Sequence, residues 1–100
     1  MNAEVIATRF RFAVNVLPKD GILDPQGRAV EQSLPHLGLT GIDAVRVGRR
    51  VELSVEAPDA GTARGTVEEL ARELLCNPLV EQYAIEPLAA ISAARTGSGE

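Results

Sequence analysis

The chain has 100 residues, of which 45% are hydrophobic, and its formal net charge is −4 at pH 7. The length fits one domain, and the hydrophobic content excludes a generally disordered chain. The negative charge and an aromatic content of 3% argue against nucleic acids and anionic membranes as partners, because basic patches and stacked rings carry such binding.

One cysteine and one histidine, Cys76 and His36, are present. They leave no internal disulfide and argue against a structural zinc site. The sequence shows neither a membrane-spanning apolar run of about 18 residues nor a secretory signal, so we expect a cytoplasmic protein.

The first predicted element is a strand over residues 9–17. Apolar and polar side chains alternate there with a period of two, which is typical of a half-buried strand. The apolar positions are Phe10, Phe12, Val14 and Val16. Turn residues from Pro18 to Gly21 end the strand.

A helix is predicted next, over residues 24–37. Asp24 suits the N-cap, and Pro25 suits the first helical position, where a missing N–H has no consequence. The apolar face carries Val30, Leu34 and Leu37. Gly27 weakens the first turn, so it is either required by a close backbone approach or merely tolerated. Pro35 should kink or shorten the last turn.

A β-hairpin is predicted next, from a strand at 44–47 and a strand at 50–56. Apolar residues alternate along both segments, and Gly48 suits the tight turn between them. In that arrangement Arg46 and Glu52 would pair across the exposed face of the sheet.

A second helix is predicted after Pro58 and Asp59, and it stops at Asn77 and Pro78. Its apolar positions, which give the strongest helical pattern in the chain, are Ala63, Val67, Leu70, Ala71 and Leu74. Residues 80–86 are predicted to form the last strand.

The resulting order, β-α-β-β-α-β, predicts an α+β, two-layer, ferredoxin-like architecture. In it a four-stranded antiparallel sheet carries both helices on one face. The domain is expected to span 9–87, between an N-terminal extension (1–8) and a flexible C-terminal tail (88–100). The small size and the few large aromatic side chains favour dimerisation through strand or sheet contacts.

No catalytic constellation is recognisable in the sequence, and neither common phosphate-loop motif is present. Cys76 ends a predicted helix, which indicates a small, part-buried side chain, and His36 lies in another element. Glu68, Glu69 and Glu73 lie on the predicted outer helix face, which disfavours an acid–base pair. We therefore expect no catalytic residue, no metal and no cofactor bound by this chain.

Four segments of the sequence resemble the PurS family, the small subunits of formylglycinamidine ribonucleotide (FGAM) synthase. They are Ile22 to Val30, Arg46 to Gly48, Val51 to Leu53, and Asn77 to Tyr83. They follow the order and spacing of the family over roughly 9–86. The sequence departs from the family pattern at Pro35 and in a longer tail after Glu86.

The resemblance implies a non-catalytic subunit in purine biosynthesis. It implies a homodimer or tetramer that bridges the glutaminase subunit PurQ and the synthetase subunit PurL, so that ammonia passes between them. ATP and Mg²⁺ would be used by the complex. The alternative is a regulatory, small-molecule-binding domain of the ACT type, which is also small, acidic and dimeric.

Loops carry function more often than core elements do, so we expect partner contacts in the loop from Lys19 to Gly27 and in the segment from Asn77 to Tyr83. The candidate contact residues are Lys19, Asp24, Gln26, Gly27, Arg28, Asn77 and Tyr83. The alternative for Tyr83 is packing on the core. The helix start beside Lys19 and Arg28 is also a weak candidate for anion binding. We further expect Gly27→Glu to leave the fold intact but to weaken assembly of the complex.

Overall fold

The computed structural model describes residues 8–89 and 91–92. Within them the chain forms an antiparallel sheet and two α-helices, so the α+β class is confirmed. The elements are β1 (Thr8–Pro18), α1 (Pro25–Ser33), β2 (Arg49–Ala57), α2 (Ala60–Leu70), β3 (Glu81–Pro87) and β4 (Ile91–Ser92).

The long strand β1 is the centre of the sheet. It pairs antiparallel with β2 along one edge, with Phe12 opposite Leu53, and with β3 along the other edge, with Val14 opposite Ile85. The short strand β4 also pairs with β1, next to Arg9. The antiparallel sheet is therefore as predicted, but its fourth strand is not the one predicted.

The predicted strand at 44–47 and its hairpin are wrong, because residues 42–48 form no strand. The N–H groups of Val45 and Val47 donate to side-chain carboxylates of an earlier part of the chain instead of to β2, both at 2.9 Å. Gly48 does not lie in a hairpin turn. It lies so close to β1 that a Cβ there would collide with the Val16 carbonyl oxygen.

One helix, α2, supplies the helical side of the core. Asp59 caps it by accepting the Thr62 N–H at 2.7 Å, and a π-helical turn over Ala71–Leu75 follows it. The buried core consists of Phe12, Val14, Val16, Ala57, Ala63, Val67, Ala71 and Cys76. Cys76 is thus a small core side chain, as predicted.

The other helix, α1, contributes no side chain to this core. Its one buried residue is Gly27. Val30 is 42% exposed, and Leu37 beyond the helix is 69% exposed. The prediction that both helices cover one face of the sheet is therefore wrong for α1, although its apolar residues do share a helical spacing.

Pro35 shortens the first helix, as predicted. α1 ends at Ser33, and the chain continues as a 3₁₀ turn over Leu34–Leu37. Gly38 closes that turn with a φ of 72°, in the left-handed region that glycine enters without steric penalty. His36 is exposed on this turn.

The face of the sheet opposite α2 carries ion pairs. Arg50 contacts Glu86 at 2.8 Å and Glu52 at 2.9 Å, and Arg11 contacts Glu52 at 3.3 Å. The predicted Arg46–Glu52 pair is wrong, since Arg46 does not lie on a strand. These pairs are exposed, so each contributes little to stability.

The predicted terminal segments lie mostly outside the described residues, namely 1–7 of the extension and 90 and 93–100 of the tail. Beyond the predicted boundary at 87, Leu88 donates its N–H to the Arg11 carbonyl at 2.8 Å and β4 extends the sheet. None of the described helices has the length and apolar character needed to cross a bilayer.

Candidate partner-contact site

The two predicted contact regions meet at one end of the sheet. The Lys19 ammonium donates to the Pro78 carbonyl at 2.6 Å, and the Lys19 N–H donates to the Val80 carbonyl at 2.9 Å. A cavity of about 390 Å³ is lined by Asp24 and Gln26 from one region and by Glu81 from the other. We call the surface made up of this cavity and the two Lys19 contacts the sheet-end surface.

Asp24 organises the first of these regions. One carboxylate oxygen accepts the Gly27 N–H, as expected of an N-cap, and the other accepts the Val47 N–H, both at 2.9 Å. The Gly27 N–H, followed by the Val47 N–H, lowers the pKa of Asp24. The carboxylate already occupies the start of α1, so an anion would have to displace it there.

Gly27 is required by a close backbone approach. A Cβ at this position would collide with the Val45 carbonyl oxygen and lie 2.6 Å from an oxygen of Asp24. The approaching group belongs to the same chain, not to a partner. The expectation that Gly27→Glu leaves the fold intact is therefore wrong, because even a methyl group does not fit.

Gln26 and Arg28 are both exposed on α1. Arg28 and Lys19 line a second cavity, of about 620 Å³, which also reaches Arg46. Arg46 contacts Asp20 at 3.1 Å. Its Nη2 atom is buried without a hydrogen-bond partner within the described residues.

Asn77 and Tyr83 have structural roles in the second region. The Asn77 carbonyl accepts the N–H groups of Val80 and Glu81, and its side-chain oxygen accepts the Leu79 N–H at 3.1 Å. Tyr83 is half-buried and packs against the core, as its alternative assignment stated. The strongly exposed side chain of this region is instead Leu79, at 82%.

Sequence reasoning missed an ion pair that holds the sheet end together. Arg49 makes two contacts with Glu81, at 2.8 and 2.9 Å, and donates to the Leu75 carbonyl at 2.6 Å. The Asn77 N–H also donates to Glu81, at 2.8 Å. Hydrogen bonding to Arg49, then to Asn77, lowers the pKa of Glu81 to about 2.

This arrangement is a polar surface braced by hydrogen bonds and an ion pair. The turn before β3, the π-helical turn after α2 and the start of β2 are fixed to one another through Arg49 and Glu81. Across residues 8–89 and 91–92, no cluster of three or more His, Cys, Asp and Glu side chains could hold a metal ion. What the geometry supplies is a set of polar groups held in fixed positions at the end of the sheet.

Comparison with known proteins identifies the family. The family model for PurS, described as phosphoribosylformylglycinamidine (FGAM) synthase, matches residues 11–89. The chain belongs to the PurS family. This membership favours the interpretation as an FGAM synthase subunit over the interpretation as an ACT-type regulatory domain.

Individual relatives agree with the family match. The chain is 38% identical over 73 residues to the FGAM synthase subunit PurS of Synechocystis, covering 73% of each chain. It resembles the crystal structure of the Thermotoga maritima purS subunit with a TM-score of 0.75 and 32% identity, covering 80% of this chain and 92% of the other. It resembles a chain in the structure of PurLQS from Thermotoga maritima equally well, with a TM-score of 0.75, 32% identity and 98% coverage of that chain.

Proposed function

We propose that this chain is a non-catalytic subunit of FGAM synthase in purine biosynthesis. It holds the glutaminase subunit PurQ and the synthetase subunit PurL together, so that ammonia released by one reaches the other. In this proposal the chain acts as a homodimer or a higher oligomer in the cytoplasm. ATP and Mg²⁺ are used by the complex and are not bound here.

The observation that carries the proposal is the likeness to a chain of the Thermotoga maritima PurLQS structure over 80% of this chain. In this proposal the sheet-end surface is where the partner subunits dock. Its backbone is fixed by Arg49, Glu81 and Lys19, so docking there requires little ordering of the chain and loses little conformational entropy.

The decisive experiment is reconstitution of the enzyme from its three kinds of subunit. FGAM formation is measured with glutamine and, separately, with ammonium chloride as the nitrogen source. Omitting this chain should abolish glutamine-dependent synthesis and leave ammonia-dependent synthesis by the synthetase subunit in place. An equal loss of both activities would instead assign this chain a part in the chemical step and overturn the bridging proposal.

A variant at the sheet-end surface locates the contact. Gln26→Arg places a longer, charged side chain at the cavity rim, and we expect it to weaken binding of the partner subunits. Gln32→Arg makes the same change at another exposed position of α1 and serves as the matched control. Equal binding by both variants would move the contact away from Gln26.

A further inference from the structure

The cavity of about 620 Å³ beside the sheet-end surface has a charged lining of mixed sign. Its cations come from three separate segments, namely the loop after β1, helix α1 and the segment before β2, so the fold and not the sequence spacing brings them together. What the cavity can bind depends on which of its charged groups already have partners. These groups are Lys19, Asp20, Asp24, Arg28, Glu31 and Arg46.

The carboxylates of this cavity are largely committed to other contacts. Asp24 accepts two backbone N–H groups and Glu31 accepts one, each at 2.9 Å. Asp20 contacts Arg46 at 3.1 Å, and the side chain of Asp20 is 96% exposed. The acidic side of the lining therefore serves the backbone of the chain and one exposed ion pair, which contributes little.

The cations of the cavity are less committed. Arg28 is exposed and forms no ion pair with another described residue. Nη2 of Arg46 is buried without a partner within the described residues, while the side chain as a whole is 31% exposed. Lys19 uses one of its three ammonium N–H groups on the Pro78 carbonyl. The unused capacity of the cavity is thus for hydrogen-bond donation, which favours an anionic acceptor.

From these observations we infer that the cavity receives the carboxylate of an Asp or Glu side chain from a partner subunit. Arg28 and the exposed part of Arg46 hold that carboxylate, and Lys19 adds a third positive charge. Charge-assisted hydrogen bonds are stronger than neutral ones, and the planar guanidinium group matches a carboxylate. The inference rests on the proposed function and adds the chemistry of one contact to it.

A protein side chain fits this cavity better than a free small anion does. Ile22 and Leu23 also line it, and Leu23 is 73% exposed. A small anion would leave Leu23 in water, whereas a protein surface that carries the acidic side chain covers it as well. The lining also holds as many carboxylates as cations, so long-range attraction for a free anion is weak.

The first test captures the contact in the assembled complex. A water-soluble carbodiimide joins a lysine amine to a carboxylate only where the two touch. In the Arg28→Lys variant we expect an amide bond between position 28 and an Asp or Glu of PurL or PurQ, located by mass spectrometry of the peptides. Arg64→Lys makes the same change at an exposed position of α2 and should give no bond to another subunit.

A bond from position 28 to a second copy of this chain, or no bond to another subunit, would overturn the inference. Such a result would leave the cavity to a different occupant or empty in the complex.

The second test measures affinity and its dependence on salt. Arg28→Glu should raise the dissociation constant for PurL or for PurQ at least about tenfold, the effect of losing a charged anchor. Raising the salt from about 0.05 to 0.5 M should weaken the wild type more than this variant, because screening acts on the pair that the variant lacks. Arg64→Glu is the matched control and should leave both constants within about twofold. Far-UV circular dichroism verifies that the variants are folded.

A third measurement distinguishes a side chain from a free anion. Sodium acetate and sodium phosphate are titrated separately into the isolated chain while the amide resonances of Arg28 and Arg46 are followed. We expect no saturation below about 10 mM, the weak binding of a single small anion. Saturation at micromolar concentration would assign the cavity to a free anion and overturn the inference.

The outcomes separate this inference from the proposed function. If the wild type and Arg28→Glu bind PurL and PurQ equally well, the inference is overturned and the subunit role stands. If the wild type binds neither subunit, the proposed function is overturned, and the inference with it. Loss of affinity in Arg28→Glu beside an unaffected Arg64→Glu supports it.

Discussion

Two regions of the molecule are stabilised in different ways. In the core region, formed by β1, β2, β3 and α2, apolar side chains are buried against one another, and Val14, Val16 and Val67 are almost completely shielded from water. In residues 22–47, which we call the arm, six large apolar side chains are exposed. The amides of Gly27, Val45 and Val47 there donate to carboxylates of the same segment. The core region is thus stabilised by apolar burial, while the arm is held in place by hydrogen bonds within itself.

The difference matters because the two kinds of contact respond to different perturbations. Burial of a Val or Leu side chain contributes roughly 1.5–3 kcal/mol through loss of water contact and is insensitive to charge. The arm depends on carboxylates that must stay ionised and on close backbone approaches that tolerate no added atoms. Substitutions that remove apolar volume should therefore affect the core, and substitutions that add volume should affect the arm.

The largest expected effect is in the core. Phe12→Ala should lower the free energy of unfolding by about 3–5 kcal/mol, because it leaves a cavity where Phe12 is now buried. The measurement is chemical denaturation followed by circular dichroism.

The matched change on the arm is Val30→Ala, at a side chain that is 42% exposed. There the free energy of unfolding should change by less than about 0.5 kcal/mol, as for other exposed sites. Equal losses from Phe12→Ala and Val30→Ala would contradict the division into a packed core and an outward-facing arm.

A smaller effect on stability is expected where Gly27 of α1 lies against the Val45 backbone. Gly27→Ala should destabilise the attachment of α1 by about 1–3 kcal/mol, because the added methyl group overlaps the Val45 carbonyl. Amide hydrogen exchange should then show loss of protection at Val45 and Val47.

Gly65→Ala provides the control of opposite sign. Gly65 lies within α2, and a Cβ there would meet no atom within 4 Å. Alanine at this site should raise stability by about 0.5–1 kcal/mol, the usual gain inside a helix. Unaltered hydrogen exchange at Val45 and Val47 in the Gly27→Ala variant would contradict the close approach of Gly27 to the Val45 carbonyl.

The sequence was sufficient where local pattern and global packing agree. Strand alternation located β1, a long apolar periodicity located α2, and the predicted N-cap Asp24 accepts the backbone N–H expected of it. At 44–47 the alternation typical of a strand was present, but side-chain carboxylates 14 and 23 residues away took the amides. Local pattern does not specify which distant group satisfies a backbone N–H.

The same limit applies to the helix face and to the sheet end. The spacing of Val30 and Leu37 correctly indicates an apolar side of α1, yet it does not say whether that side meets the sheet or another molecule. Arg49 and Glu81 are 32 residues apart, and neither stands out from the other charged residues of the chain. Their pairing follows from β2 and β3 lying on opposite edges of β1, which only the folded register shows.

The smallest expected effect concerns the Arg49–Glu81 pair as the pH falls. Because hydrogen bonding to Arg49, and then to the Asn77 N–H, lowers the pKa of Glu81 from 4.5 to about 2, the folded chain binds the carboxyl proton more weakly than the unfolded chain does. The stabilisation is therefore complete above about pH 4.5 and is lost as the pH falls towards 2. Glu81→Gln should be less stable than the wild type at pH 7, and the difference should close by pH 2. A difference that stays constant between pH 5 and pH 2 would show that the role of Glu81 is steric, and that the sheet end does not depend on charge.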